Sequence, residues 1–361
     1  MGEVEATIIR SDRKARLVVL ELAHIMSVPM SLIAVLKFKV PEAIQKGGNA
    51  PLSAAEILAR IRPHGGADAE NLQRLLRLLA TYDIFEEHLT SSSSGGQRKY
   101  SLTDVGKSLA DDDQGLSYAY YMLQHHQDAM MRAWPMVGEA VEDATLEPFV
   151  KVNGEPPIDY FSKRQDEVSL FHKCLSGMSA PFMNEMLQVY DGFKGVETLV
   201  DVAGNSGLTL RMIMEKYPNI RKGINYDLPG MVAAAPVIPG VTHVGGDAFE
   251  YVPSGGDTIF IKWAFLTWND EESKLVFENS YKALPENGKM IVCEPVLPEL
   301  TDESRRTRAM LSADIFIMTM YRTKGKHRTE QQFKQLGISA GFSHFRAFYV
   351  DSYMAILEFH K

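Results

Sequence analysis

The chain has 361 residues, about 2.4 domains at roughly 150 residues each, which excludes a peptide-sized or disulfide-stapled scaffold. With 38 basic and 46 acidic residues, net −8, 45% hydrophobic and 23% charged, it has the composition of an ordinary soluble globular protein, with no bulk attraction for nucleic acid or anionic lipid. Cys174 and Cys293 are its two cysteines, too few for a disulfide framework and without the spacing of a structural zinc site, so a reducing, cytoplasmic setting and no metal are expected.

Residues 15–46 read as helix, with Leu17, Leu20, Ala23, Ile25, Val28, Leu32, Val35 and Leu36 at three- and four-residue spacings and Pro29 interrupting. The apolar positions cover so much of the circumference that burial is expected, against a second copy of the chain. The uncharged run from Leu22 to Leu36 falls short of a membrane span, and the residues before it do not read as a secretory signal. No membrane partner is expected.

Ser53 with Glu56 three residues on forms a capping box, and Asn71 to Phe85 is an amphipathic helix. A polar tip, SSSSGG from Ser91 to Gly96, then separates EEHLT from RKYSLT. Two short helices and a strand pair make a winged-helix pattern. DNA binding is not expected from it, because Arg74 and Arg77 sit on a stripe of Leu72, Leu75, Leu76, Leu78 and Leu79 in an acidic chain.

From Gly115 to about Asp191 the pattern is helical and rich in methionine and aromatics. After Thr198 it changes to short β-branched runs alternating with helices: TLVDVAG, IRKGINYDLP, VTHVGGDAF, DTIFIKWAF and KMIVCEPVLP. Continuous apolar strands between helices mean an α/β parallel sheet covered on both faces. The expected division is residues 1–115 and 116–361.

Ligands of open parallel sheets bind beyond the carboxyl ends of the strands. There the first loop runs Asp201-Val202-Ala203-Gly204-Asn205-Ser206-Gly207, the second carries Asp227 and Leu228, and the third reads Gly245-Gly246-Asp247-Ala248-Phe249. The first loop alone is equally well a tight turn, since it lacks the full GxGxxG. Three such loops in series describe a nucleoside cofactor, with Asp227 placed to accept from ribose hydroxyls and Asp247 to Phe249 suited to an adenine amino group and ring. A Walker lysine and serine are absent, which argues against a triphosphate.

The motifs LVDVAGNSG, GINYDLPGM, HVGGDAF, IKWAFLTWNDEE, KALPENGKMIVCEPVLP and GKHRTEQQF followed by AGF resemble those of the plant caffeate-type S-adenosylmethionine-dependent O-methyltransferases, in order and over essentially the whole chain. The resemblance implies a Rossmann-like methyltransferase domain behind an N-terminal helical, winged-helix dimerisation domain, in a homodimer whose N-terminal regions contribute to each other's active sites. It implies cofactor contacts at Gly204, Asp227, Asp247, Ala248 and Lys262, joined by Leu228 and Phe249, with S-adenosylhomocysteine as coproduct and Trp268 beside the substrate-facing loop.

One departure from the family bears directly on the chemistry. Members carry a His-Asp pair, the histidine acting as general base, between a Lys-Trp and a Trp-x-Asp. Here Lys262-Trp263 and Trp268-Asn269-Asp270 keep the register while the pair reads Leu266-Thr267. Of the two glutamates that flank the base in the family, the first survives as Glu294 and the second is His327. A phenol of pKa about 10 is ionised to about one part in a thousand at pH 7, an expense of about 4 kcal/mol, and a positioned base contributes roughly 100- to 10,000-fold. A neutral pyridine-type nitrogen is already a free lone pair and needs no base, only alignment in a dry pocket.

By alignment with the family, Gln124 and His125 face the substrate, with Tyr121 one turn before His125 and Tyr120 one turn before Gln124. Adjacent helical positions point about 100° apart, so one of each pair, Tyr120 or Tyr121 and His125 or His126, is expected to face it, and the alignment favours His125. Leu175, Trp263, Leu266 and Met318 belong to the same expected substrate set, and Arg322 lies in the loop before Gly325. Tyrosine, a protonated or donating imidazole and a guanidinium form a receptor for a carboxylate. A small aromatic acid with a ring nitrogen is therefore expected, nicotinate being the simplest, and within the family the resemblance is closest to plant members that methylate nicotinate on nitrogen to trigonelline. The alternatives are O-methylation of a small phenol or aromatic acid with a substitute base such as His327, and a non-catalytic member.

Overall fold

The computed structural model describes residues 3–90, 96–163, 165–233 and 235–361; of the polar tip only Gly96 falls within them. They form two compact units, residues 1–127 with 169–177, and residues 128–168 with 178–361.

The first unit begins with α1 (Glu3–His24), α2 (Ser27–Lys37) and α3 (Val40–Gln45), so the expected long helix is in three pieces. Pro29 falls in the first turn of α2, where its missing N–H forfeits no bond, and Lys39 turns the chain through a left-handed φ of 60°. Burial differs along the run. Val35, Leu36, Val40 and Ile44 are buried in this unit's core, whereas Leu17 is 68% and Leu22 64% exposed. The apolar face of α1 is thus left uncovered by its own chain.

Next come α4 (Ala54–Ile61), α5 (Ala69–Ala80), β1 (Phe85–Thr90), β2 (Gln97–Leu102), α6 (Asp104–Ser108) and α7 (Ala119–His125). The Ser53–Glu56 capping box is formed, and β1 pairs antiparallel with β2, the winged-helix arrangement. Arg77 of α5 is drawn to Glu87 of β1 at 3.7 Å and Arg74 donates to Asn71 at 3.1 Å.

The division lies later than residue 115. Ala119 packs in the first unit's core, the Tyr118 amide donates to Ser108 O at 3.1 Å, and the Tyr120 hydroxyl donates to Asp111 at 2.9 Å. These contacts hold α7 to the elements before it, where the composition change had suggested the start of a new domain.

The second unit carries α8 (Asp128–Met131), α9 (Val137–Glu142), α10 (Pro148–Asn153), α11 (Pro157–Ser162) and α12 (Gln165–Val189, whose 169–177 stretch groups with the first unit). Then follow β3 (Thr198–Val202), α13 (Leu208–Lys216), β4 (Lys222–Asp227), α14 (Pro229–Val232), β5 (Val241–Gly245), β6 (Thr258–Lys262), α15 (Asp270–Ala283), β7 (Lys289–Leu297), α16 (Arg305–Met320), β8 (Arg328–Thr329), α17 (Glu330–Ala340), β9 (His344–Phe348) and β10 (Met354–His360). The sheet order is β5-β4-β3-β6-β7-β10-β9, with β8 on β7. The first five strands are parallel, as expected. The last two are antiparallel, which the alternating pattern did not indicate because a closing hairpin lacks a helix between its strands. Strand order reverses between β3 and β6, placing the switch-point crevice beyond Val202 and Lys262.

Candidate active site

At the carboxyl end of β3 the backbone is bent hard. Ala203 and Asn205 have φ of 58° and 52°, and Gly207 has 77°. Left-handed backbone at non-glycine residues costs about 1–3 kcal/mol and clusters where a ligand must be met. The carboxylate of Asp227 accepts from the Asn205 amide at 2.8 Å and the Leu228 amide at 2.7 Å. Burial pushes its carboxyl up and the two amides draw it back. Gly204 is required by its surroundings, since a Cβ there would stand 2.1 Å from Asn225 Oδ1 and 2.8 Å from Asp201 Oδ2.

Those two oxygens are buried and have no hydrogen-bond partner among the described residues, and burial raises the Asp201 carboxyl to about 7. Buried acceptors left without donors are costly unless a ligand supplies them. With the Gly204 cradle and the Asp227 carboxylate they fit a cofactor bearing ribose hydroxyls and an ammonium group. Asp247 accepts from the Phe249 amide at 2.9 Å, and the Phe249 ring meets Trp268 edge-on at 5.5 Å. Leu228 is exposed beside this edge and Ala248 is half-buried. Lys262 donates to Ser179 at 2.8 Å, and burial lowers its ammonium against the pull of Asp201. All seven expected cofactor positions therefore lie on the carboxyl-end loops of the parallel strands or at the ends of β4 and β6 themselves. Asn225 and Asp201 were not among the expected contacts; both lie within strands, Asp201 in β3 rather than at the head of the loop after it, and their orphaned oxygens show only in three dimensions. Asn205 carried a signal, because asparagine is the residue that tolerates αL backbone.

The β6 loop has a different character. Trp263, also left-handed at φ 57°, leads into a short 3-10 turn, Phe265–Thr267. Three successive amides converge on β7: Trp263 N donates to Cys293 O at 3.0 Å, while Ala264 N and Phe265 N donate to Glu294 Oε1 at 2.6 and 2.8 Å. Burial raises the Glu294 carboxyl to about 7, with these amides opposing. Thr267 returns its hydroxyl to Ala264 O at 2.8 Å. Leu266, 6% exposed, packs in an apolar cluster with Met130, Phe149, Phe161, Phe316 and Met320, against which Trp263 and Tyr321 also lie. Met318 is half-buried on α16. His327 is buried, with Nδ1 3.4 Å from Asp314 and its own amide donating to the same carboxylate at 2.6 Å.

Two members of the expected carboxylate receptor are engaged within the protein. Arg322 is already paired, its Nη1 lying 2.8 and 3.0 Å from the two oxygens of Glu272. His125 is neutral, since burial holds its imidazole down at about 4. Its Nδ1 lies 2.6 Å from Tyr121 O, and as a carbonyl only accepts, the ring proton sits on Nδ1. A cationic imidazole is therefore not its resting form.

The adjacent tyrosines differ in their partners, while His125 and His126 are each tied to the carbonyl four residues before. Tyr121 stacks on His125 at 3.9 Å between ring centroids, whereas Tyr120 is engaged by Asp111 and by Lys173, whose ammonium lies 4.8 Å from its ring centroid. His126 is tied to Met122 O at 2.9 Å. Gln124 is fully buried, accepts from Gln127 at 2.7 Å, and has no partner for Nε2 among the described residues. Leu175 is half-buried on α12. Among the described residues no group of three metal-ligating side chains is present, and no single helix is long and apolar enough to cross a membrane.

Comparison with known proteins agrees with this geometry. Residues 134–343 match the model of the O-methyltransferase domain, and residues 20–112 that of the O-methyltransferase dimerisation domain. The chain is 61% identical to nicotinate N-methyltransferase 1 of Glycine max, covering 97% of each. It is 57% identical to nicotinate N-methyltransferase 1 of Arabidopsis thaliana, covering 97% of this chain and 98% of that one. Human N-acetylserotonin methyltransferase, solved in complex with its S-adenosylmethionine, superposes with a TM-score of 0.79 at 18% identity over 96% of this chain and 97% of the other, which shows the shared fold.

Proposed function

The chain belongs to the O-methyltransferase family and is an S-adenosylmethionine-dependent methyltransferase, and we propose that its acceptor is nicotinate, methylated on the ring nitrogen without a general base. The observation that carries this reading is Leu266, an apolar side chain in an apolar cluster at the place where the family's base would stand. The relatives named for the same activity support it at 57 and 61% identity.

The bound cofactor supplies a methyl group on a sulfonium, and when a pyridine lone pair takes that methyl the C–S electron pair returns to sulfur, the positive charge passes to nitrogen, and no proton is released. Asp227, the orphaned oxygens of Asp201 and Asn225, and the Asp247–Phe249 turn hold the cofactor. Leu266 and the aromatic residues around it exclude water, so alignment is the main contribution asked of this part of the protein. Carboxylate recognition we assign to Tyr121 with His125, whose imidazole would take up a proton as the anion arrives, because a neighbouring negative charge favours the charged ring. Arg322 is left out, its charge being neutralised by Glu272. The dimerisation domain supports a homodimer, and we assign the uncovered apolar face of α1 to the contact with a second copy. The buried free thiols of Cys174 and Cys293 support a cytosolic location.

The test is to incubate the purified protein with nicotinate and methyl-labelled cofactor and identify the product by NMR. An N-methyl signal coupled to the ring protons flanking nitrogen is expected. A methyl ester, or labelling of phenols in preference to nicotinate, would overturn the assignment.

A further inference from the structure

Arg328 belongs to the tail motif but to neither the cofactor loops nor the expected acceptor set. It is 1% exposed, and both terminal nitrogens of its guanidinium reach the turn that carries Leu266 or the helix start just after it, while Nε has no partner among the described residues. Nη1 donates to Phe265 O at 2.8 Å, and Nη2 to Trp268 O and Asp270 Oδ1, both at 2.9 Å. From the other side Glu294 takes the amides of Ala264 and Phe265. Phe265, the residue before Leu266, thus has its N–H on a buried carboxylate and its C=O on a buried guanidinium. Leu266 O faces Gly325, where a Cβ would come within 2.9 Å, so the same tail segment packs directly against the turn.

We propose that Arg328 is a positioning residue of the methyl-transfer reaction: with Glu294 it clamps the Phe265–Trp268 turn between a buried guanidinium and a buried carboxyl and so fixes the wall that Leu266 presents to the acceptor. The proposal rests on the base-free reading above, because with no proton to move, rate depends on alignment, and a misplacement of about 1 Å can cost about 100-fold. Charge-assisted hydrogen bonds are short and directional, and a planar guanidinium bridges two carbonyls where an ammonium reaches one. The clamp also holds the left-handed Trp263, whose strain persists only while its surroundings over-determine it.

The experiment compares wild type, Arg328→Lys, Arg328→Ala, Glu294→Gln and Glu294→Leu. Expected for Arg328→Lys is a kcat lowered at least tenfold, with the Kd for S-adenosylhomocysteine changed less than about threefold. Arg328→Ala should be lower still, and Glu294→Gln, which keeps an acceptor oxygen for both amides, should exceed Glu294→Leu by at least tenfold. Hydrogen exchange of the peptide spanning 262–269 should accelerate in Arg328→Lys and Arg328→Ala, and this reports on the clamp whichever acceptor the wild type methylates and even where Arg328→Ala folds poorly. A wild type inactive on nicotinate defeats the substrate reading and leaves the clamp to be judged by exchange. Unchanged kcat in Arg328→Lys with unchanged exchange overturns the clamp. So does a fall in kcat matched by an equal loss of cofactor affinity.

Discussion

The loops that follow β3 and β6 leave neighbouring parallel strands at the same end of the sheet, yet they present opposite surfaces. Around Gly204 the chain leaves buried oxygens without partners, which prepares it to receive a polar ligand. Around Leu266 the backbone groups are taken up by the protein's own buried side chains, Glu294 from β7 and Arg328 from β8, and an apolar side chain is left to face its cluster. The contrast separates two tasks of a methyltransferase. Holding the donor requires hydrogen bonds that the protein keeps vacant, whereas guiding an acceptor that has no proton to lose requires a dry, rigid wall.

The largest effect should come from the polar side. Asp227→Ala removes a charged acceptor worth about 1.5–3 kcal/mol, so S-adenosylhomocysteine should bind roughly 10- to 150-fold more weakly by calorimetry, while the fold as read by circular dichroism stays intact. A smaller loss would mean that Asp227 serves the Asn205 and Leu228 amides rather than the ligand.

Leu266→His moves the polar plan into the apolar side. An imidazole placed in that cluster without a partner should destabilise the protein by about 1–3 kcal/mol, seen as a lowered urea midpoint. Weak methylation of phenols should appear with no gain on nicotinate. A clear gain on nicotinate would erase the distinction between the loops.

His125→Ala should raise the KM for nicotinate about tenfold and leave cofactor affinity within about twofold. If His125 takes a proton with the anion, wild-type nicotinate affinity should also strengthen as pH falls from 8 to 6, and the variant should lose that trend.

The remaining effect is on stability and concerns Asp201. Its carboxyl is raised to about 7 in the folded protein against about 3.9 when unfolded. The folded state therefore keeps a proton that the unfolded state has lost between these values. Stability from this group is highest below about pH 4, falls as pH rises toward 7, and is lowest above it. Asp201→Asn should flatten that part of the urea-midpoint profile in the cofactor-free protein.

The two sides also differed in how much the sequence disclosed. Glycines and acidic residues at strand ends announce a cofactor edge because backbone conformation and strand order limit where a nucleoside can lie. The Leu266-Thr267 departure was equally plain, since a missing base is visible in one dimension. The orphaned oxygens of Asp201 and Asn225 were hidden, because burial without a partner depends on residues distant in the chain. Arg328 was hidden for the same reason: its partners, Phe265 and Trp268, lie about sixty residues earlier. Arg322 looked available only because Glu272, fifty residues away, could not be placed beside it. Periodicity likewise could not distinguish the uncovered face of α1 from the buried face of α2, because the pattern reports that a face is apolar and not what covers it.

The central claim is that methyl transfer proceeds with no proton to remove, and proton stoichiometry tests it most directly. In weakly buffered solution at pH 7.5, with a pH indicator and nicotinate as acceptor, each methyl transferred should release no proton. Release of one proton per methyl, or transfer only to phenols, would contradict the account.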